Sequence, residues 1–206
     1  MEKDEFLTIN NTGKGIYKEK GSKFYGFIFA VSNEEQAKQK LEEIKSEFHD
    51  ARHHCYAYRL GTGGEIHRMN DDGEPSSTAG KPIYGQILAH NLTNVMIIVV
   101  RYFGGSKLGT SGLIRAYKTA SEEAINNTQI VKKTICELYT INFNYNLMND
   151  VMKIIHDEII EPVEKNFEAS CSFTLAIRKT KENSIVNRFD KINGLIISKL
   201  DKKIYS

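Results

Sequence analysis

Residues 94–118, NVMIIVVRYFGGSKLGTSGLIRAYK, constrain the fold more than any other stretch, because a continuous apolar run gives way to a glycine-rich loop and then to helical spacing. Val95–Val100 is too short to span a membrane, and its Val and Ile content fits a central strand buried on both faces. Gly104, Gly105, Gly109 and Gly112 follow, and Leu113, Ile114 and Tyr117 then mark a helix with one buried side. The predicted unit is strand, loop, helix. Arg101, Lys107, Arg115 and Lys118 put cations beside the unpaired N–H groups of a helix start, a field suited to a phosphate. The same glycines also serve a tight turn and close helix–strand packing, and the residues alone leave both roles open. GGSKLGT meets neither the Walker spacing nor Gly-x-Gly-x-x-Gly, which disfavours a nucleoside-triphosphatase.

The remaining chain falls into two grammars. A polar lead precedes strands at Gly15–Tyr17 and Phe24–Val31, joined by the turn Glu19–Ser22 with Lys20 and Lys23 beside it. Ser32 and Glu35 form a capping box before a helix with Ala37, Leu41, Ile44 and Phe48 on one side. Asp50–Leu60 is a strand whose alternation sends His53, Cys55 and Ala57 to one face and His54, Tyr56 and Tyr58 to the other. Gly61–Gly80 is irregular and too long for a bare turn, Lys81 and Pro82 open a helix to His90, and the helix after the glycine loop runs to about Asn126. From Thr134 the order becomes strand (Thr134–Asn144), helix (Leu147–Glu158), strands (Ile159–Phe167 and Ala169–Ile177), helix (Lys181–Ile192) and strand (Leu195–Leu200). That is the ferredoxin-like β-α-β-β-α-β order, which covers one face of an antiparallel sheet and leaves the other open. An α+β chain of two domains is expected, residues 1–130 and 131–206, with Asn126–Lys133 as the polar linker.

Composition narrows the function classes. Lys and Arg total 28 against 26 Asp and Glu, so any basic site must be local. Three cysteines at wide spacings make neither a disulfide framework nor a Cys-x-x-Cys pair, which fits reduced thiols in a cytoplasm. No signal-peptide core or membrane helix is evident, and a soluble cytoplasmic protein is expected. Asp71, Asp72 and Glu74 read as a solvated turn, since the alternating ligands of a calcium loop do not follow. His49, His53, His54 and Cys55 lack the convergent set that zinc needs, and neither metal nor cofactor is expected. Cys55 beside a histidine has no evident oxyanion loop, Ser76–Thr78 lacks the Gly-x-Ser-x-Gly elbow, and no catalytic set emerges.

Three ordered motifs make the chain resemble the YigZ/IMPACT family: Asp50-Ala51-Arg52-His53-His54-Cys55-x-Ala57, Asp71-Asp72-Gly73-Glu74-Pro75-x-x-Thr78-Ala79-Gly80-Lys81-Pro82, and Val100-Arg101-Tyr102-Phe103-Gly104-Gly105-x-x-Leu108-Gly109. The resemblance covers about residues 15–127 strongly, and the segment after it is similar to the small C-terminal domain of bacterial members. Ser77 and Ser111 depart from it, standing where members usually carry glycine. It implies a first domain with the fold of ribosomal protein S5 domain 2 and a second like domain V of elongation factor G. Eukaryotic members are translational regulators, which implies a role in translation or its stress regulation here.

The expectation is a non-enzymatic protein that binds RNA, the ribosome or a ribosome-associated protein, with no sequence-specific DNA binding and no membrane. Arg101, Lys107 and Arg115 would hold phosphates with the N–H groups of Gly104 and Gly105. Arg52, His53, His54 and Lys81 would line the same cleft, and Asp72 and Glu74 would orient the cations. The alternative is a hydrolase of a small phosphorylated substrate, with Asp72, Glu74 and His53 as acid–base groups.

Overall fold

A computed structural model describes residues 4–167 and 170–205. In chain order its elements are β1 (Glu5–Ile9), β2 (Gly13–Glu19), β3 (Ser22–Ala30), α1 (Glu34–Glu47), β4 (His53–Leu60), β5 (Ile66–Asn70), α2 (Gly80–Ala89), β6 (Val95–Tyr102), α3 (Gly109–Asn126), β7 (Ile130–Phe143), α4 (Met148–Asp157), β8 (Pro162–Phe167), β9 (Cys171–Arg178), α5 (Glu182–Phe189) and β10 (Ile196–Tyr205). The chain divides into two compact units, Phe6–Lys132 and Met1–Glu5 with Lys133–Ser206. Among the described residues no helix is long and apolar enough to cross a membrane.

The first unit is built on an antiparallel sheet of order β2-β3-β6-β4-β5. The apolar run becomes its central strand, buried on both faces. Val95, Ile97 and Val99 pack with Ile83 and Ile87 of α2 and with Leu113, Ala116 and Tyr117 of α3. Met96, Ile98 and Val100 pack on the other face with Ala37 and Ile44 of α1. Each fully buried aliphatic side chain there contributes about 1.5–3 kcal/mol. Helix α3 lies unusually close to the sheet because two glycines face each other across β2 and β3, Gly15 opposite Gly26. A Cβ on Gly26 would stand 2.3 Å from the Ala120 carbonyl oxygen, and one on Gly15 would stand 2.5 Å from the Ala124 nitrogen.

Four local expectations are corrected. The cap of α1 is Asn33, one residue beyond Ser32: its Oδ1 accepts the Gln36 N–H at 2.9 Å, and Gln36 Oε1 accepts from the Ser32 N–H at 2.8 Å. Asn33 caps as Ser would, while Gln36 reaches back one residue beyond the cap, to Ser32 rather than to Asn33. The irregular Gly61–Gly80 stretch contains β5, an edge strand whose side chains are mostly exposed and so carry no apolar alternation. The polar lead contains β1, where Phe6 and Ile9 are buried along with Thr8. The linker Asn126–Lys133 is already strand from Ile130, and Gln129 meets Asn11 and Asn10 through its backbone.

The second unit has the antiparallel order β10-β7-β9-β8, as the β-α-β-β-α-β reading requires. Val151, Ile154 and Ile155 of α4 and Ile185 and Phe189 of α5 cover one face, against Tyr139, Ile141, Phe173 and Leu175. The expected strand start at Ala169 lies outside the described residues.

Candidate anion-binding site

The site is assembled where β6 leaves the sheet. Arg101 stands opposite Phe24 on β3 and His53 on β4, so the side chains of all three emerge on the α2–α3 face. Arg101 is only 6% exposed, and its guanidinium carbon lies 5.5 Å from the Phe24 ring centre and 5.6 Å from that of Phe103. Its Nη1 donates to Glu74 Oε1 at 2.6 Å, within a pair buried on both sides. Tyr117 donates its hydroxyl to the same oxygen at 2.8 Å, and the Cys55 thiol reaches the Tyr117 hydroxyl at 3.3 Å and the Asp71 carbonyl at 3.0 Å. Arg101 Nε has no hydrogen-bond partner among the described residues. Arg101, expected to face a phosphate, is instead neutralised inside the fold by Glu74. Freeing it would strand a buried carboxylate.

Burial lifts the Cys55 thiol well above its usual range, with the charges of Glu74, Asp72 and Asp71 adding to the effect. Burial likewise lifts the Tyr117 hydroxyl, with its neighbours Cys55 and Glu74 contributing. Cys55 is therefore held as a neutral thiol, unlike an activated nucleophile. Among the described residues no group of His, Cys, Asp and Glu is arranged to hold a metal ion.

The acidic loop is a scaffold for its own backbone. Asp71 Oδ1 accepts the N–H groups of Ala79 at 2.9 Å and Gly80 at 2.8 Å, while Oδ2 accepts that of Ser77 at 2.9 Å. It thereby fills the N-terminus of α2, a role the sequence reading did not assign to it. Asp72 Oδ2 accepts the His54 backbone N–H at 2.6 Å. The Asp72 carbonyl takes His53 Nδ1 at 2.8 Å; a carbonyl only accepts, so the proton sits on Nδ1 and Nε2 is the free nitrogen of the neutral ring. His54 turns to the α1 face, where its Nε2 donates to the Phe48 carbonyl at 3.1 Å, so its ring does not line the cleft as expected. Its Nδ1 stands 3.9 Å from Asp72 Oδ2, beyond hydrogen-bond reach.

The exposed part of the site is the loop that follows. A Cβ on Gly104 would stand 1.9 Å from the Gly21 carbonyl carbon, and the Gly104 N–H donates to Ser22 Oγ at 3.1 Å. The β2–β3 turn is thus docked on the glycine loop, bringing exposed Lys20 to the same end of the unit, while exposed Lys23, opposite Tyr102, lies on the α1 face. Phe103, Gly104, Gly105, Ser106 and Lys107 are exposed. Helix α3 then starts with no side-chain cap at Leu108 and no acidic residue in its first turn. Arg52, Lys81 and Lys107 are exposed and make no ion pair among the described residues. Arg115 is paired with Glu19, which also accepts from Tyr17 at 3.1 Å, and that guanidinium holds the Glu19 carboxyl below its usual range. The two serine departures differ. Ser77 has φ +63°, a left-handed conformation that favours glycine, whereas Ser111 lies inside α3 with no such demand.

Residues 20–125 match the family described as the Impact N-terminal domain. The chain is 30% identical over 164 residues to the IMPACT family member YigZ of Escherichia coli (strain K12), covering 79% of this chain and 80% of the relative. It is 28% identical over 179 residues to the IMPACT family member YvyE of Bacillus subtilis (strain 168), covering 87% and 82%. A crystal structure of a hypothetical protein, 26% identical, superposes with a TM-score of 0.70 over 98% of this chain and 100% of that one. By its matched domain and by relatives aligned along most of its length, this chain belongs to the IMPACT family.

Proposed function

We propose that the protein acts in translation or its regulation by binding ribosomal RNA through the end of the first unit where α3 begins. Membership of the family supports the translational role, which the resemblance implies for its eukaryotic members. The observation that carries the reading is a contrast between two helix N-termini. That of α2 is filled by Asp71, whereas that of α3 begins uncapped, free of acidic residues and directly behind Lys107. Unpaired N–H groups next to an unpaired lysine favour a phosphate. Lys107, Lys81 and Arg52 are the cations assigned to it, with Lys20 on the docked turn. Arg101 and Glu74 serve to hold the loop from beneath.

Contacts of this kind position a nucleic acid without reading its bases. Co-sedimentation with ribosomes across a salt series tests the proposal. Binding should fall with salt and fall further in a Lys81→Ala/Lys107→Ala variant. Binding that is insensitive to both, or that survives nuclease digestion of the RNA, would overturn it in favour of a protein partner.

A further inference from the structure

The hairpin that docks on the glycine loop carries a second feature that its own folding does not explain. Lys18 and Lys23 are directly opposed across β2 and β3. Like charges facing each other in an antiparallel pair are destabilising. The turn between them has positive φ at both central residues, Lys20 at 46° and Gly21 at 79°, where asparagine would fit better than lysine at the first. The strand pairing places Lys14, Ile16 and Lys18 of β2 on one face with Lys23 and Tyr25 of β3. This is the face on which α1 packs, yet at β2 it is uncovered: Lys14 and Lys18 are exposed and Ile16 is 57% exposed. Glu19, the acidic residue of the turn, is drawn to the other face by Arg115. Asp50, the carboxylate that bonds into this corner, accepts the Tyr102 hydroxyl at 2.5 Å. Beside the lysines, Tyr25 and Tyr102 meet edge to face with ring centres 5.9 Å apart.

We infer that this uncovered β2–β3 face is a second contact surface for an RNA strand, with Lys14, Lys18 and Lys23 against the phosphates and Ile16 beside the bases. The inference rests on the RNA-binding function proposed above and extends it from the α3 N-terminus to the sheet. Charge complementarity selects the occupant: Lys14, Lys18 and Lys23 outnumber the Asp50 carboxylate at this corner, an excess of positive charge that fits a polyanion, and their mutual repulsion is relieved when it binds. Interleaved cations and apolar side chains on a strand suit a single strand, whose backbone tracks the charges while bases lie on the apolar surface.

The test uses the full chain, a fluorescein-labelled oligouridylate and anisotropy over a salt series. The Lys18→Ala/Lys23→Ala variant is compared with wild type and with Lys107→Ala, and melting temperature is measured alongside. The inference expects weaker binding and a salt slope smaller by about 1.4, from about 0.7 per lost single-strand phosphate contact. It also expects a melting temperature equal to or above that of wild type, because a repulsion has been removed. Unchanged affinity and slope in the hairpin variant, with Lys107→Ala still weakened, would overturn the inference and leave the α3 proposal standing. Failure of wild type to bind at low salt would overturn both. Binding to phosphatidylserine vesicles but not to the oligonucleotide would also overturn both.

Discussion

Replacing Arg101 by methionine separates a scaffold from a ligand-binding cation. The substitution keeps most of the side-chain volume and removes the donor that meets Glu74 Oε1 at 2.6 Å, leaving Tyr117 as the remaining hydrogen-bond donor to that oxygen. Glu74 is 9% exposed, and breaking a buried pair from one side costs about 3–5 kcal/mol because the other charge is stranded. With a urea dependence of about 2 kcal/mol per molar, the unfolding midpoint falls by roughly 1.5–2.5 M. The Arg101→Met/Glu74→Leu double variant removes the stranded charge and leaves only the Tyr117 hydroxyl without its acceptor, a loss of about 1–3 kcal/mol. The double variant is therefore expected to be more stable than Arg101→Met alone. Urea unfolding followed by circular dichroism measures both. If Arg101→Met lies within about 0.5 kcal/mol of wild type, as substitutions at exposed positions usually do, and the double variant brings no recovery, Arg101 is a solvent-facing cation and the scaffold argument fails.

Two further perturbations test the packing of the first unit and the electrostatics of the second. Gly26→Ala would drive a methyl group to 2.3 Å from the Ala120 carbonyl and should cost about 1–3 kcal/mol through overpacking, whereas Gly85→Ala, with nothing within 4 Å, should gain about 0.4–1 kcal/mol; equal melting temperatures would contradict the close approach of α3. In the second unit, the hydrogen bond from Arg178 holds the Asp4 carboxyl well below its usual range against the opposing effect of burial, and the Thr180 hydroxyl assists. A carboxyl lowered in the folded state stabilises it fully above the ordinary value of 3.8 and loses that contribution as pH falls through the lowered one. Asp4→Asn should therefore melt below wild type at neutral pH, with the gap closing in acid below 3.8; a gap constant with pH would refute the pairing.

The parts of the fold that were legible in the sequence are those where local chemistry and tertiary packing agree. Val95–Val100 reads as a buried strand because every residue is apolar, and alternation in β4 correctly parts His53 from His54. Strand β5 was missed because an exposed edge strand needs no apolar period, and its place is held by pairing with β4 alone. The candidate site was legible as a set of motifs but not as a division of labour. An arginine beside a glycine loop suggests an exposed ligand; its burial depends on Glu74, 27 residues earlier, and on Tyr117 from the following helix. Asp71 looks like part of a solvated turn, yet three backbone N–H groups converge on it. The opposition of Lys18 and Lys23 follows from the turn register, which the run Glu19–Ser22 suggests and only the strand pairing fixes.

The salt slope of ribosome co-sedimentation tests the central claim most directly. If Lys81 and Lys107 meet phosphates at the open end of α3, the double alanine variant should lower the slope of log K against log salt by about 1.4–1.8, at about 0.7–0.9 per lost contact, while Arg101→Met, measured where it remains folded, leaves that slope unchanged. A slope that drops with Arg101→Met and holds steady in the lysine variant would contradict the account.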